Sequence, residues 1–86
     1  MYNKLLQVIS RIEEKDGTPL FTCGIFFNTS RDAQGNIDCI DAESAGIDGK
    51  QDYIYNDSQL IEFLNDCGII NITAFAVLID RIYKEG

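Results

Sequence analysis

Hydrophobic positions along the chain follow two periods, and the first segment satisfies both. Between Lys4 and Glu14, Leu5, Val8, Ile9 and Ile12 form a stripe at helical spacing, whereas Leu6, Val8, Ser10 and Ile12 would line one face of a strand. Charge weighs against the helix. Lys4 near its N-terminus, and Glu13 and Glu14 near its C-terminus, would oppose the helix dipole at a cost of ~0.3–1 kcal/mol each. The balance favours a strand by a narrow margin, with Asp16-Gly17 serving as a hairpin turn or, equally, as a glycine helix stop.

The surest strand is Leu20 to Asn28, rich in Phe21, Ile25, Phe26 and Phe27. Asp32 to Asn36 follows as a turn in which Gly35 can take the positive φ of a bulged hairpin loop. Ile37 to Glu43 is the returning strand; its order Ile37-Asp38-Cys39-Ile40-Asp41 breaks strict alternation and predicts a bulge or an edge position. Ser44 to Gln51, with Gly46 and Gly49, reads as a loop, and Asp52 to Tyr55 as a short strand. A helix comes next: Asn56, Asp57 and Ser58 offer N-caps, Leu60, Ile61, Phe63 and Leu64 an apolar face, and Gly68 a stop. The last segment is again ambiguous. Its β-branched Ile69, Ile70, Ile72, Thr73 and Val77 favour a strand through Asn71 to Ile79 with a frayed or helical end, although Phe75, Leu78, Ile79 and Ile82 also fit a helix. The expected architecture is α+β, a small antiparallel sheet of about three or four strands under a single layer of one or two helices. With no repeat or linker, residues 1–86 form one compact domain.

Composition adds that the chain folds: hydrophobic residues at 45% and a single proline are too core-rich for a disordered segment. No apolar run approaches the roughly 18–20 residues of a membrane helix. The Met1-Tyr2-Asn3-Lys4 start lacks the features of a signal peptide, and a cytoplasmic location is expected. Three widely spaced cysteines, Cys23, Cys39 and Cys67, read as small buried thiols in a reducing compartment.

Charge changes the picture most. The net charge is −7, and it is concentrated between Asp32 and Asp66. There Asp32, Asp38, Asp41, Glu43, Asp48, Asp52, Asp57, Glu62 and Asp66 face only Lys50. Such a chain is a poor ligand for phosphates, which excludes direct nucleic-acid binding and anionic membranes as expected functions.

Catalytic chemistry finds little to stand on. The chain has no histidine, so the usual base of Ser-His and Cys-His nucleophile systems is missing. Asp38, Asp41 and Glu43 are close in sequence, but alternation puts Asp41 and Glu43 on one face and Asp38 on the other, unless a bulge intervenes. A solvated acidic strand is the simpler reading of them than a catalytic pair. Asp32 to Asp38 has some features of a calcium loop, yet Gly35 is fourth where that pattern needs glycine sixth, and the flanks read as strands. Zinc would need four soft ligands. Gly46 to Lys50 lacks the spacing of a phosphate-binding loop. No enzyme activity, metal or cofactor is expected.

What remains is binding. Tyr53 and Tyr55 alternate onto one face just after the acidic loop and could anchor an interface or pack at the edge of the core. The expected function is a small acidic inhibitor that neutralises a basic partner. A nuclease toxin met by an immunity protein or antitoxin, or a nucleic-acid-binding defence protein met by a phage anti-defence (anti-CRISPR) inhibitor, are the two settings. Asp32, Asp38, Asp41, Glu43, Asp48 and Asp52 form the expected electrostatic face, with Tyr53 and Tyr55 as anchors. The alternative is a homodimer or an accessory-subunit domain whose acids only keep it in solution.

Overall fold

The computed structural model describes residues 1–46 and 49–85. Its elements run α1 (Tyr2–Asp16), β1 (Leu20–Thr22), β2 (Ile25–Arg31), β3 (Ile37–Ser44), β4 (Gln51–Ile54), α2 (Asp57–Asp66) and α3 (Ile72–Glu85). The four strands form an antiparallel meander in the order β1-β2-β3-β4. The expected α+β class is observed. Both ambiguous segments are helices, so three helices pack on the sheet.

The strand expected over Lys4 to Glu14 is α1, and comparison of magnitudes explains why. The helix buries Leu5, Val8 and Ile9 together, whereas a strand would send Leu5 and Ile9 to one face and Val8 to the other. Each buried aliphatic side chain contributes about 1.5–3 kcal/mol, more than an adverse end charge removes. Tertiary contacts also answer the dipole. Asp57 supplies the carboxylate missing from the first turn, accepting from the Tyr2 N–H at 2.7 Å. At the other end Glu13 accepts from the Thr29 N–H at 3.0 Å and from the Thr29 hydroxyl. Because β1 begins opposite Phe27, it stops short of Thr29, and the Glu13 carboxylate takes the place of a strand partner there. Gly17, at φ 68°, closes the helix with its N–H on the Glu13 carbonyl.

The strand expected over Asn71 to Ile79 is α3. Phe75 and Ile79 are buried and Ile82 packs against the core, at i, i+4 and i+7, while Val77, which an alternating strand would bury, is 51% exposed. Asn71 caps the helix, its Oδ1 accepting from the Ala74 N–H at 3.0 Å. Lys4 meets Asp80 at 2.5 Å and Arg11 donates to the Tyr83 carbonyl at 2.9 Å, so contacts advance in the same direction along α1 and α3.

The long strand expected over Leu20 to Asn28 is instead a hairpin, β1 and β2, with Thr22 opposite Ile25. Cys23 and Gly24 both have positive φ, 55° and 74°, the signature of a two-residue type I′ turn. Cys23 is consequently exposed rather than buried; Cys39 is buried and Cys67 half-buried. The expected β2–β3 turn, the bulge in β3 and the caps of α2 are observed. Gly35 turns the β2–β3 hairpin at φ 84°, and the register shift between Ser30 and Arg31 makes Asp38 the bulged residue of β3. Asn56 caps α2 through the Gln59 N–H at 2.9 Å. Gly68 and Ile69 end it with N–H bonds to the Asn65 and Leu64 carbonyls, the pattern of a Schellman motif.

Two outcomes follow. Glu13→Ala lowers unfolding stability by about 1–3 kcal/mol, because it strands the Thr29 N–H, while Glu14→Ala changes it little; urea midpoints for the two variants measure the difference. Cys23→Asn raises stability by about 0.5–1 kcal/mol, since asparagine tolerates the left-handed region better; a thermal melt that falls instead would show that the cysteine is not strained.

Candidate functional site

Opposed residues of an antiparallel pair share a face, and the register therefore sorts the sheet into two. Ile25, Phe27, Ile40, Ala42 and Ile54 point toward the helices and are fully buried among Leu5, Ile9, Leu60, Phe63, Leu64, Phe75 and Ile79. The opposite face lies outside that core. Across it runs one row of Phe21, Phe26, Glu43 and Gln51, and a second of Asn28, Asp41 and Tyr53. Phe21 and Tyr53 are each 55% exposed and Phe26 38%. Phe21 and Phe26 stack with ring centroids 4.5 Å apart.

The expected electrostatic residues do not form one surface. Asp41 and Glu43 lie together at the centre of the open face, where Asp41 accepts from the Gln51 amide at 2.9 Å. Asp52 pairs with Ala42, so it belongs to the helix side. There Lys50 lies 2.8 Å from Asp66 and 3.7 Å from Asp52. The hydrogen bond to Asp66 lifts the Lys50 ammonium above its ordinary pKa. These three residues, with Tyr53, Gln59, Glu62 and Phe63, line a groove of about 370 Å³ between β4 and α2. Asp32 sits in the β2–β3 turn, where one carboxylate oxygen accepts from both the Gln34 and Asn36 N–H groups at 2.9 Å. Asp38 occupies the bulge at the same end of the sheet. Asp48 lies outside the described residues.

Lys50 is the one cation between Asp32 and Asp66, and Asp52 and Asp66 share it. Among the described residues, none of the ion pairs includes Asp32, Asp38, Asp41 or Glu43. The open face thus carries two carboxylates without a counter-charge.

Tyr53 and Tyr55 are both exposed, which sets aside the reading that they pack at the edge of the core. Cys39 is buried yet separate from the main core cluster. Its thiol, by hydrogen bonding and by charge, pushes the Tyr55 phenol above its ordinary pKa. Sequence reasoning missed Phe21 and Phe26 as surface residues, having placed both on a continuous strand. The Cys23-Gly24 pair was the available signal, since a turn there sets the two rings opposite one another. Among the described residues no cluster of His, Cys, Asp or Glu is placed to hold a metal ion, and no helix is long and apolar enough to cross a membrane.

Replacing Cys39 with alanine brings the Tyr55 titration back toward the ordinary tyrosine value; ultraviolet or NMR titration checks the shift. An unchanged Tyr55 curve would separate it from Cys39. No protein-family model matches this chain, and no curated protein or solved structure matches it significantly.

Proposed function

We propose that the protein is a non-catalytic inhibitor that docks the open face of its sheet on a basic site of another protein. The observation that carries this reading is the pairing of Asp41 and Glu43 on an uncovered face, without a cation and beside the exposed Phe21, Phe26, Tyr53 and Tyr55. Aromatic side chains supply contact area at low entropic cost, and carboxylates supply steering. A partner that handles nucleic acid presents a positive surface suited to phosphates, and a carboxylate pair can occupy it. A nuclease toxin or a nucleic-acid-binding defence protein has that chemistry, which makes an immunity protein, an antitoxin or a phage anti-defence inhibitor the natural settings. The site is confined to Asp41, Glu43, Tyr53, Tyr55 and the two phenylalanines. Asp32 and Asp52, engaged in a turn and an ion pair, contribute to the long-range field only.

Self-association through this face is the second reading, favoured by the exposed Phe21–Phe26 stack. Two copies face to face would set Asp41 and Glu43 against their own like charges, and opposed like charges destabilise pairing.

The test is affinity capture with the wild-type protein and with Asp41→Lys/Glu43→Lys as bait, at low salt and at roughly 0.5 M, where screening is strong. A basic protein held by the wild type, released by salt and absent from the variant supports the proposal. Its association rate should fall about 10–100-fold with the variant, as expected when steering is reversed. Identical retention by both baits, or salt-independent self-association alone, overturns it.

A further inference from the structure

We infer that the open face selects arginine over lysine, and that the partner inserts an extended segment with arginines at alternate positions. This rests on the docking face proposed above and names what that face reads. Each of the two carboxylates that β3 places on the open face has an aromatic ring directly across the ladder: Glu43 stands opposite Phe26, and Asp41 opposite Tyr53. Directly opposed side chains begin only about 4.5–5.5 Å apart, so one cationic group can touch a carboxylate and a ring at once.

A guanidinium uses both contacts. Its planar fork pairs with a carboxylate through two parallel N–H bonds, and its flat face lies on an aromatic ring. An ammonium gains the charge but neither the fork nor the stacking. Spacing completes the argument. Asp41 and Glu43 are two residues apart on one strand, about 7 Å, the same interval that separates alternate side chains of an extended peptide. The neutral neighbours Asn28 and Gln51 on the same face add hydrogen-bonding groups without an opposing charge.

The experiment titrates the full chain, by heteronuclear NMR at low ionic strength, with two blocked pentapeptides that differ only in carrying Arg-Ser-Arg or Lys-Ser-Lys at their centre. The expected result is at least about tenfold tighter binding of the arginine peptide. Its shifts should centre on Phe26, Asp41, Glu43 and Tyr53. The preference should fall in Tyr53→Ala, which leaves only the Glu43–Phe26 pair, and persist in Tyr53→Phe, which keeps the ring; Tyr53 is exposed, so both variants fold. Equal affinity of the two peptides at this face overturns the selection of arginine and leaves the acidic docking face standing. Shifts centred elsewhere, or binding of neither peptide, overturn both.

Discussion

The fold depends on one apolar layer, the contact between a single face of the four-stranded sheet and the three helices. Ile25, Phe27, Ile40, Ala42 and Ile54 supply the sheet side, and Leu5, Ile9, Leu60, Phe63, Leu64, Phe75 and Ile79 the helix side. A chain of 86 residues buries a smaller share of its surface than a larger domain does, and its helical segments are all used on this one face. The other face of the sheet is left uncovered as a result. An antiparallel sheet tolerates that arrangement because alternation can place polar groups outward along every strand. Here the outward positions also hold aromatic rings, and these are what distinguish the face from an ordinary solvated one.

Electrostatics then divides the acidic segment. With Lys50 the one cation between Asp32 and Asp66, its position decides which carboxylates are answered. It lies on the helix side with Asp52 and Asp66, so the local field there is reduced while the field over Asp41 and Glu43 is not. Alternation along β3 and β4 produces this split. Neighbours in sequence such as Asp52 and Tyr53 belong to opposite faces, whereas Asp41 and Tyr53, twelve positions apart, are directly opposed. A charge count along the chain finds the segment but not the surface.

Carboxylates off the open face serve the fold. Glu13 completes the edge of β2, Asp57 meets the N-terminus of α1, and Asp80 ties α3 to Lys4. Asp80 is held below its ordinary pKa by hydrogen bonds from Lys4 and Lys84, so this tie is complete above the usual carboxylate range and is lost only as pH falls through the lowered value. Among the described residues Asp41 and Glu43 make no ion pair, and the side-chain bond that Asp41 accepts comes from Gln51 on the same face.

Elements defined by local chemistry were legible in the sequence. Asn56 and Gly68 bound α2, Gly35 turns the β2–β3 hairpin, and the broken alternation at Asp38 marks a bulge, because each depends on a cap or a backbone angle that a few neighbouring residues decide. The α+β class and the acidic segment were legible for the same reason. Helix or strand for Lys4 to Glu14 and for Asn71 to Ile79 was not, since both periods fit and the balance is set by which residues the sheet buries. The turn at Cys23-Gly24 was also hidden, because cysteine seldom takes positive φ, and it does so here to bring Phe21 against Phe26. Alternation alone put Asp41 and Glu43 on one face, but tertiary structure decided what shares it with them: strand register places the two acids among the rings and turns Asp52 toward Lys50, and register is a property of the paired strands rather than of any one of them.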